Sequence, residues 1–168
     1  FGDEDFTVLF FRKGTNADND DTMLIQGYNV GGGSGVRYAC KFEAASKARL
    51  TIDDGSTKSE AFEASENTKH TDGNWYFYTF QRNTTANSLK IYLDTIEIAS
   101  GTDSSGSLSN AGDLYIMSDY TTTPASFAEG TMDDVAIFDT LLDSTDLNDI
   151  MDNGLYYAAA TGRTRRFF

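Results

Sequence analysis

The sequence predicts an all-β domain, a two-sheet antiparallel sandwich of the jelly-roll kind with one short C-terminal helix. Three observations predict it. Apolar residues repeat with a period of two across about ten short segments. Twelve Phe, nine Tyr and one Trp supply the stiff, wide side chains of a β core. Fifteen Gly and many Ser, Thr, Asn and Asp fall between the apolar runs, where turns belong. A chain of 168 residues suits one domain and can bury a core without a metal or disulfide.

Element by element, Phe6–Lys13 (FTVLFFRK) reads as the first strand and Met23–Gln26 as the second, with an acidic, Asn-rich loop from Gly14 to Asp21 between them. The run Gly31-Gly32-Gly33-Ser34-Gly35 is a turn and lacks the Lys-Ser or Lys-Thr of a phosphate-binding loop. Val36–Glu43 alternates, placing Tyr38, Cys40 and Phe42 on one face, which makes Cys40 a buried structural thiol. Lys47–Ile52 is its hairpin neighbour, and Glu60–Glu63 is a weaker strand. Trp75–Arg82 is apolar on both faces, as in the middle of a sandwich. Ser88–Asp94 puts Leu89, Ile91 and Leu93 on one face; Ile96–Ile98, Leu114–Met117 and Gly130–Phe138 complete the β part. Asp143, with Asp146 three residues on, caps a helix from about Ser144 to Asn153 that stops at Gly154.

The formal charge of −13 argues against nucleic acid as a partner, because phosphate binding needs a positive field. No apolar run approaches the ~20 residues of a membrane helix, so no membrane insertion is expected. The domain division is 1–155 for the sandwich and 156–168 for a basic, aromatic tail. In that tail Arg163, Arg165, Arg166, Phe167 and Phe168 form a candidate assembly arm.

Four segments in fixed order carry a resemblance. They are the Trp75-led strand, Leu89-Lys90-Ile91-Tyr92-Leu93-Asp94, Gly130-Thr131-Met132-Asp133-Asp134-Val135-Ala136-Ile137-Phe138, and Leu142-Asp143-Ser144-Thr145-Asp146-Leu147. With the opening strand, this set resembles the laminin-G-like, concanavalin-A-like jelly-roll domain family over about Asp5 to Leu155. The resemblance implies a non-catalytic, extracellular recognition module that binds glycans or a protein surface through rim loops. Thr95 and Met117 stand where that family places glycine. Family members usually carry one or two further strands before the equivalent of Phe6, where five residues stand here, so that strand is expected to be truncated, replaced by the C-terminal tail or donated by a neighbouring chain, and an uncovered sheet edge of this kind invites association.

An enzyme is not expected. The Glu-x-Asp-x-x-Glu spacing of glucan-cleaving relatives is absent. Glu60, Glu63 and Glu66 read as a solvated face, and the single His70 as a surface residue in a polar loop. One His and one Cys do not make a zinc site. Calcium is the one cofactor the sequence leaves open, because it takes six to eight oxygen ligands. Asn16, Asp18, Asn19, Asp20 and Asp21 form a dense oxygen loop, and Asp133, matching a recurrent Asp of the family, is expected to be flanked by buried residues. For sugar stacking the candidates are Tyr28, Tyr76, Tyr78 and Tyr120, each weighed against a place in the core or on a sandwich face; Tyr120, at a strand end, is the best of them, and Tyr28 is kept beside it. The alternative to a binding module is a structural or decoration subunit of a virion, fibre, filament or surface layer. Such a subunit would join neighbouring copies through its tail and the open edge. The expected location is therefore extracellular, at a cell surface or on a virion.

Overall fold

The computed structural model describes residues 2–15, 21–27, 35–43, 46–109, 112–118 and 127–155. Two antiparallel five-stranded sheets face each other. Sheet A runs β10-β1-β6-β7-β8, from β1 (Phe6–Lys13), β6 (Trp75–Asn83), β7 (Ser88–Leu93), β8 (Ile96–Thr102) and β10 (Thr131–Phe138). Sheet B runs β5-β4-β3-β2-β9, from β2 (Asp21–Gly27), β3 (Arg37–Glu43), β4 (Lys47–Asp53), β5 (Lys58–Phe62) and β9 (Leu114–Ile116). The two-residue periodicity read from the sequence produces this layering. Phe6, Val8 and Phe10 of β1, Tyr78 and Phe80 of β6, and Leu89, Ile91 and Leu93 of β7 meet Tyr38, Cys40, Phe42, Leu50 and Ile52 of sheet B in one core. Cys40 is fully buried, as its strand position required, and burial pushes its thiol pKa up.

The helix α1 (Ser144–Asn153) carries the expected capping box, with Asp143 accepting from the Asp146 N–H and Asp146 accepting from the Asp143 N–H. Its apolar stripe, Leu147 and Ile150, covers the outer face of sheet A at Leu9, Phe77, Ala136 and Phe138 in a second, smaller core. The apolar stripe of the helix does not extend over the β7 and β8 half of that outer face, where α1 makes a polar contact from Asn148 to Thr95 at the hairpin turn.

At the opposite side of the sandwich, β5 and β8 bring the two sheets together. A Cβ on Gly101 would collide with the Glu60 carbonyl oxygen, so only glycine permits that approach. The far side, at β9 and β10, is more open. Each ends its sheet among the described residues, and Leu114, Ile116 and Phe127 are exposed nearby.

The two positions where glycine was expected are strained. Thr95 has φ 65° and Met117 has φ 60°, both left-handed, and Asp94 before Thr95 is left-handed as well. Asp94 and Thr95 therefore form the two-residue, mirror-image turn that fits the twist of the β7–β8 hairpin. A β-branched residue is a poor choice there. Thr95→Gly is expected to stabilise the fold by about 0.5–1 kcal/mol, the left-handed penalty less the added chain entropy. A higher urea midpoint with an unchanged slope would show it; a lower midpoint would refute the turn assignment.

Candidate functional site

The outer faces of the two sheets differ in chemistry. On sheet B, alternation opposite to Tyr38, Cys40 and Phe42 turns Arg37, Ala39, Lys41 and Glu43 outward. Register then aligns three rows across the strands: Gly27, Arg37, Asp53 and Lys58; Tyr115, Ile25, Ala39, Thr51 and Glu60; Thr22, Lys41, Arg49 and Phe62. Lys47 follows, opposite Glu43. Five basic and three acidic side chains thus share this side of the sheet on a chain of charge −13; Ile25, Ala39, Thr51, Arg37 and Asp53 are buried there, and the accessible part is the β4–β5 end with Lys47, Arg49, Lys58, Glu60 and Phe62.

Arg49 is the centre of that face. Its guanidinium bridges Glu43 and Glu60, the latter at 2.5 Å, and Glu60 also accepts from Thr51 Oγ1 and pairs with Lys58 at 2.6 Å. Burial alone would lower the Arg49 pKa, yet the two carboxylates outweigh it and hold the cation firmly charged. The same neighbours depress Glu60 against its own desolvation. Arg49 Nε has no partner among the described residues. Phe62 is exposed beside Arg49 and Lys47, 5.6 Å and 5.5 Å from its ring. Arg37 and Asp53, 3.8 Å apart and largely buried, close one end of the face.

On sheet A, the half of the outer face beyond the apolar stripe of α1 forms a groove of about 290 Å³ between β6, β7 and the segment 141–143 that leads into α1. Gln81, Asn83, Ser88, Lys90 and Tyr92 line its floor and Leu142 its wall.

The residues singled out by the sequence are scattered. Asp18, Asp20, Tyr28 and Tyr120 lie outside the described residues, as do Arg163, Arg165, Arg166, Phe167 and Phe168. Asp21 is a strand residue, buried and paired with Arg12 at 3.3 Å. Asp133 departs from expectation. It is exposed, its neighbours Met132 and Asp134 are not buried, and it accepts from the Asp134 N–H beside a register shift in the β1–β10 pairing. The shift rolls the local strand outward, so the carboxylate needs no buried partner. Tyr78 is core, and Tyr76 donates to Asp72. Among the described residues no three His, Cys, Asp or Glu stand close enough to hold a metal ion.

His70 and Glu63 correct the surface reading. Both are buried, because the short helix η1 (Thr68–His70) turns His70 inward between the sheets. Its Nε2 lies 2.7 Å from Glu63 Oε2 and its Nδ1 2.8 Å from the Tyr78 hydroxyl. The His70 carbonyl accepts from Arg12, whose guanidinium lies 4.4 Å from the Phe42 ring centre. Glu63, His70, Tyr78 and Arg12 are all buried, so the polar chain is shut inside the fold. The exposed Glu66 does read as solvated.

A family model described as the concanavalin A-like lectin/glucanases superfamily matches residues 1–148. No curated protein matches. Among solved structures, the fold is similar to the Ruminococcus gnavus IT-sialidase CBM40 bound to α2,3-sialyllactose, with TM-score 0.70 and 13% identity over 88% of this chain and 82% of that one. It is also similar to domains LG4-5 of the mouse laminin α1 chain (TM-score 0.62, 10% identity, 80% of this chain, 36% of that one). The botulinum neurotoxin serotype D/C binding domain aligns at TM-score 0.62 and 16% identity, over 91% of this chain and 37% of that one.

Proposed function

We propose that this chain, which belongs to the concanavalin A-like lectin/glucanases superfamily, is a non-catalytic extracellular module that binds glycans on the outer face of sheet B. The observation that carries the reading is the cationic face itself. Arg49 is locked in place by two carboxylates beside the exposed Phe62 ring, on a protein that is otherwise strongly acidic. A ring beside fixed polar groups is what a sugar requires, the ring for its apolar face and the fixed groups for its hydroxyls. Five basic against three acidic side chains on this side of the sheet favour an acidic sugar such as sialyllactose, the ligand bound by the R. gnavus module, with Arg49 holding Glu43 and Glu60 in place rather than meeting the sugar carboxylate itself. The absence of paired carboxylates at glucanase spacing supports binding without cleavage.

Titration calorimetry with 3′-sialyllactose tests this. Arg49→Ala is expected to weaken binding by about tenfold or more, equivalent to about 1.4 kcal/mol, with an unchanged circular dichroism spectrum. Equal affinity in the two proteins would overturn the placement of the site.

A second reading is assembly with neighbouring copies. It is favoured by the exposed Leu114, Ile116 and Phe127 on the open β9–β10 side, together with the tail Arg163–Phe168. Light scattering on chains with and without residues 156–168 is expected to show a larger particle only with the tail. Equal masses would remove this reading.

A further inference from the structure

The groove on the outer face of sheet A has no part in the reading above, and its polar groups are unusually well defined. Gln81 is 6% exposed, and its Nε2 donates to the Leu142 carbonyl at 2.8 Å and to Thr7 Oγ1 at 3.3 Å. The Leu142 carbonyl can only accept, so the amide orientation is settled. Gln81 Oε1 is left with no partner among the described residues, and Gln81 is one of the residues that line the groove. Asn83 is oriented the opposite way. Its Oδ1 accepts from the Ala86 N–H at 2.7 Å, which can only donate, so Nδ2 is its unspent end. One strand thus offers an acceptor and, two residues on, a donor on the same face. Tyr92, half-buried two positions past Lys90, adds an aromatic ring to the floor.

We infer that this groove is a second sugar site, separate from the sheet B face, that takes a single neutral pyranose ring. Neighbouring hydroxyls of a sugar both donate and accept, and the Gln81 Oε1 and Asn83 Nδ2 pair meets that mixed demand. Tyr92 and Leu142 supply the apolar surface that a ring face needs. The size agrees, since about 290 Å³ lies at the lower bound of small-molecule sites, enough for one ring and too little for an oligosaccharide. Charge selects a neutral ligand. The one cation, Lys90, is already paired with Glu97 at 2.8 Å, and Asp143 stands on the rim, so a sugar carboxylate would meet repulsion. The two faces would then sort ligands by charge, acidic on sheet B and neutral on sheet A.

The test is backbone amide mapping by NMR on the full chain with lactose as the neutral probe and 3′-sialyllactose as the acidic one. Lactose is expected to move the amides of residues 81–83, 88–92 and 141–143. Asn83→Asp keeps the acceptor for Ala86 and removes the donor, and it should weaken that response about tenfold. Tyr92→Ala should do the same. The inference fails if lactose moves only strands β3 to β5, moves nothing, or binds Asn83→Asp as it binds the wild type. Sialyllactose shifts on β3 to β5 report separately on the sheet B site, so the two proposals stand or fall apart.

Discussion

Asp103→Ala is expected to destabilise the protein by about 3–5 kcal/mol, a large part of the 5–15 kcal/mol that holds a typical domain folded. Arg82 and Asp103 are each about 2% exposed in their side chains and meet at 2.6 Å, Nε to Oδ2. Arg82 also donates to the carbonyls of Gly106 at 2.9 Å, Ser105 at 3.1 Å and Gly2 at 3.3 Å, so one guanidinium ties the N-terminal segment and the loop after β8 to the core. Without Asp103 its charge stays buried with only neutral acceptors, and desolvation is no longer offset. The loop it anchors reaches across to sheet B. The Ser104 N–H donates to Ser59 Oγ at 2.9 Å, and the Gly106 N–H to Asp54 at 2.6 Å. The damage should therefore spread to the rim beside Arg37 and Asp53. Asp103→Asn keeps an acceptor for Arg82 and should cost visibly less. Urea unfolding of the three proteins decides the matter; an Asp103→Ala loss below about 1 kcal/mol would mean that the three carbonyls alone hold the arginine.

Most of the fold was legible because a strand has a short, strict period. Leu89, Ile91 and Leu93 alternate with Lys90 and Tyr92, and the first set packs inward while the second faces outward. The same beat carried a signal that went unused. Arg12 follows Phe6, Val8 and Phe10 on one face of β1, and Arg82 follows Tyr78 and Phe80 on β6, so both arginines had to lie inside and needed partners. Asp21 and Asp103 are those partners, and neither could be named in advance because each comes from a loop or a distant strand. His70 was misread for a related reason. Its neighbours Lys69 and Thr71 are polar and exposed or half-buried, and one turn of η1 suffices to aim a single side chain inward. The Tyr78 hydroxyl, on an inward position, was the clue that a buried polar partner existed.

The candidate sites were less legible than the core. The cationic face needs the pairing register of four strands before Arg37, Lys41, Arg49 and Lys58 can be seen as neighbours, and hairpin spacing alone does not fix it. The groove needs the landing place of α1, which depends on tertiary packing of Leu147 and Ile150 against Leu9 and Phe77. Sequence reasoning favoured rim loops and tyrosines instead, because loops carry function more often than sheet faces do.

The Glu63–His70–Tyr78 chain leads to the second large effect, an acid-sensitive core. Glu63 is buried, which by itself would raise its pKa, but it accepts from the Ala48 N–H at 3.0 Å and Asn67 Nδ2 at 3.0 Å and sits 2.7 Å from His70. These bonds outweigh desolvation, and its folded-state pKa lies below the unfolded one. The stabilisation is therefore complete above the unfolded value, near ~4.3, and is lost as pH falls through the folded value. Glu63→Ala strands three donors inside the sandwich and should cost roughly 2–4 kcal/mol at pH 7. Glu63→Gln keeps the shape and removes the titration. Its stability deficit against the wild type should be constant above pH 6 and shrink toward pH 2, because only the wild type loses a charge that the fold favours. Other carboxylates titrate in both proteins and cancel in the difference. A deficit that holds its size from pH 7 down to pH 2 would show that folding leaves the Glu63 pKa unshifted, and one that grows as pH falls would show that Glu63 is a neutral acid in the folded core.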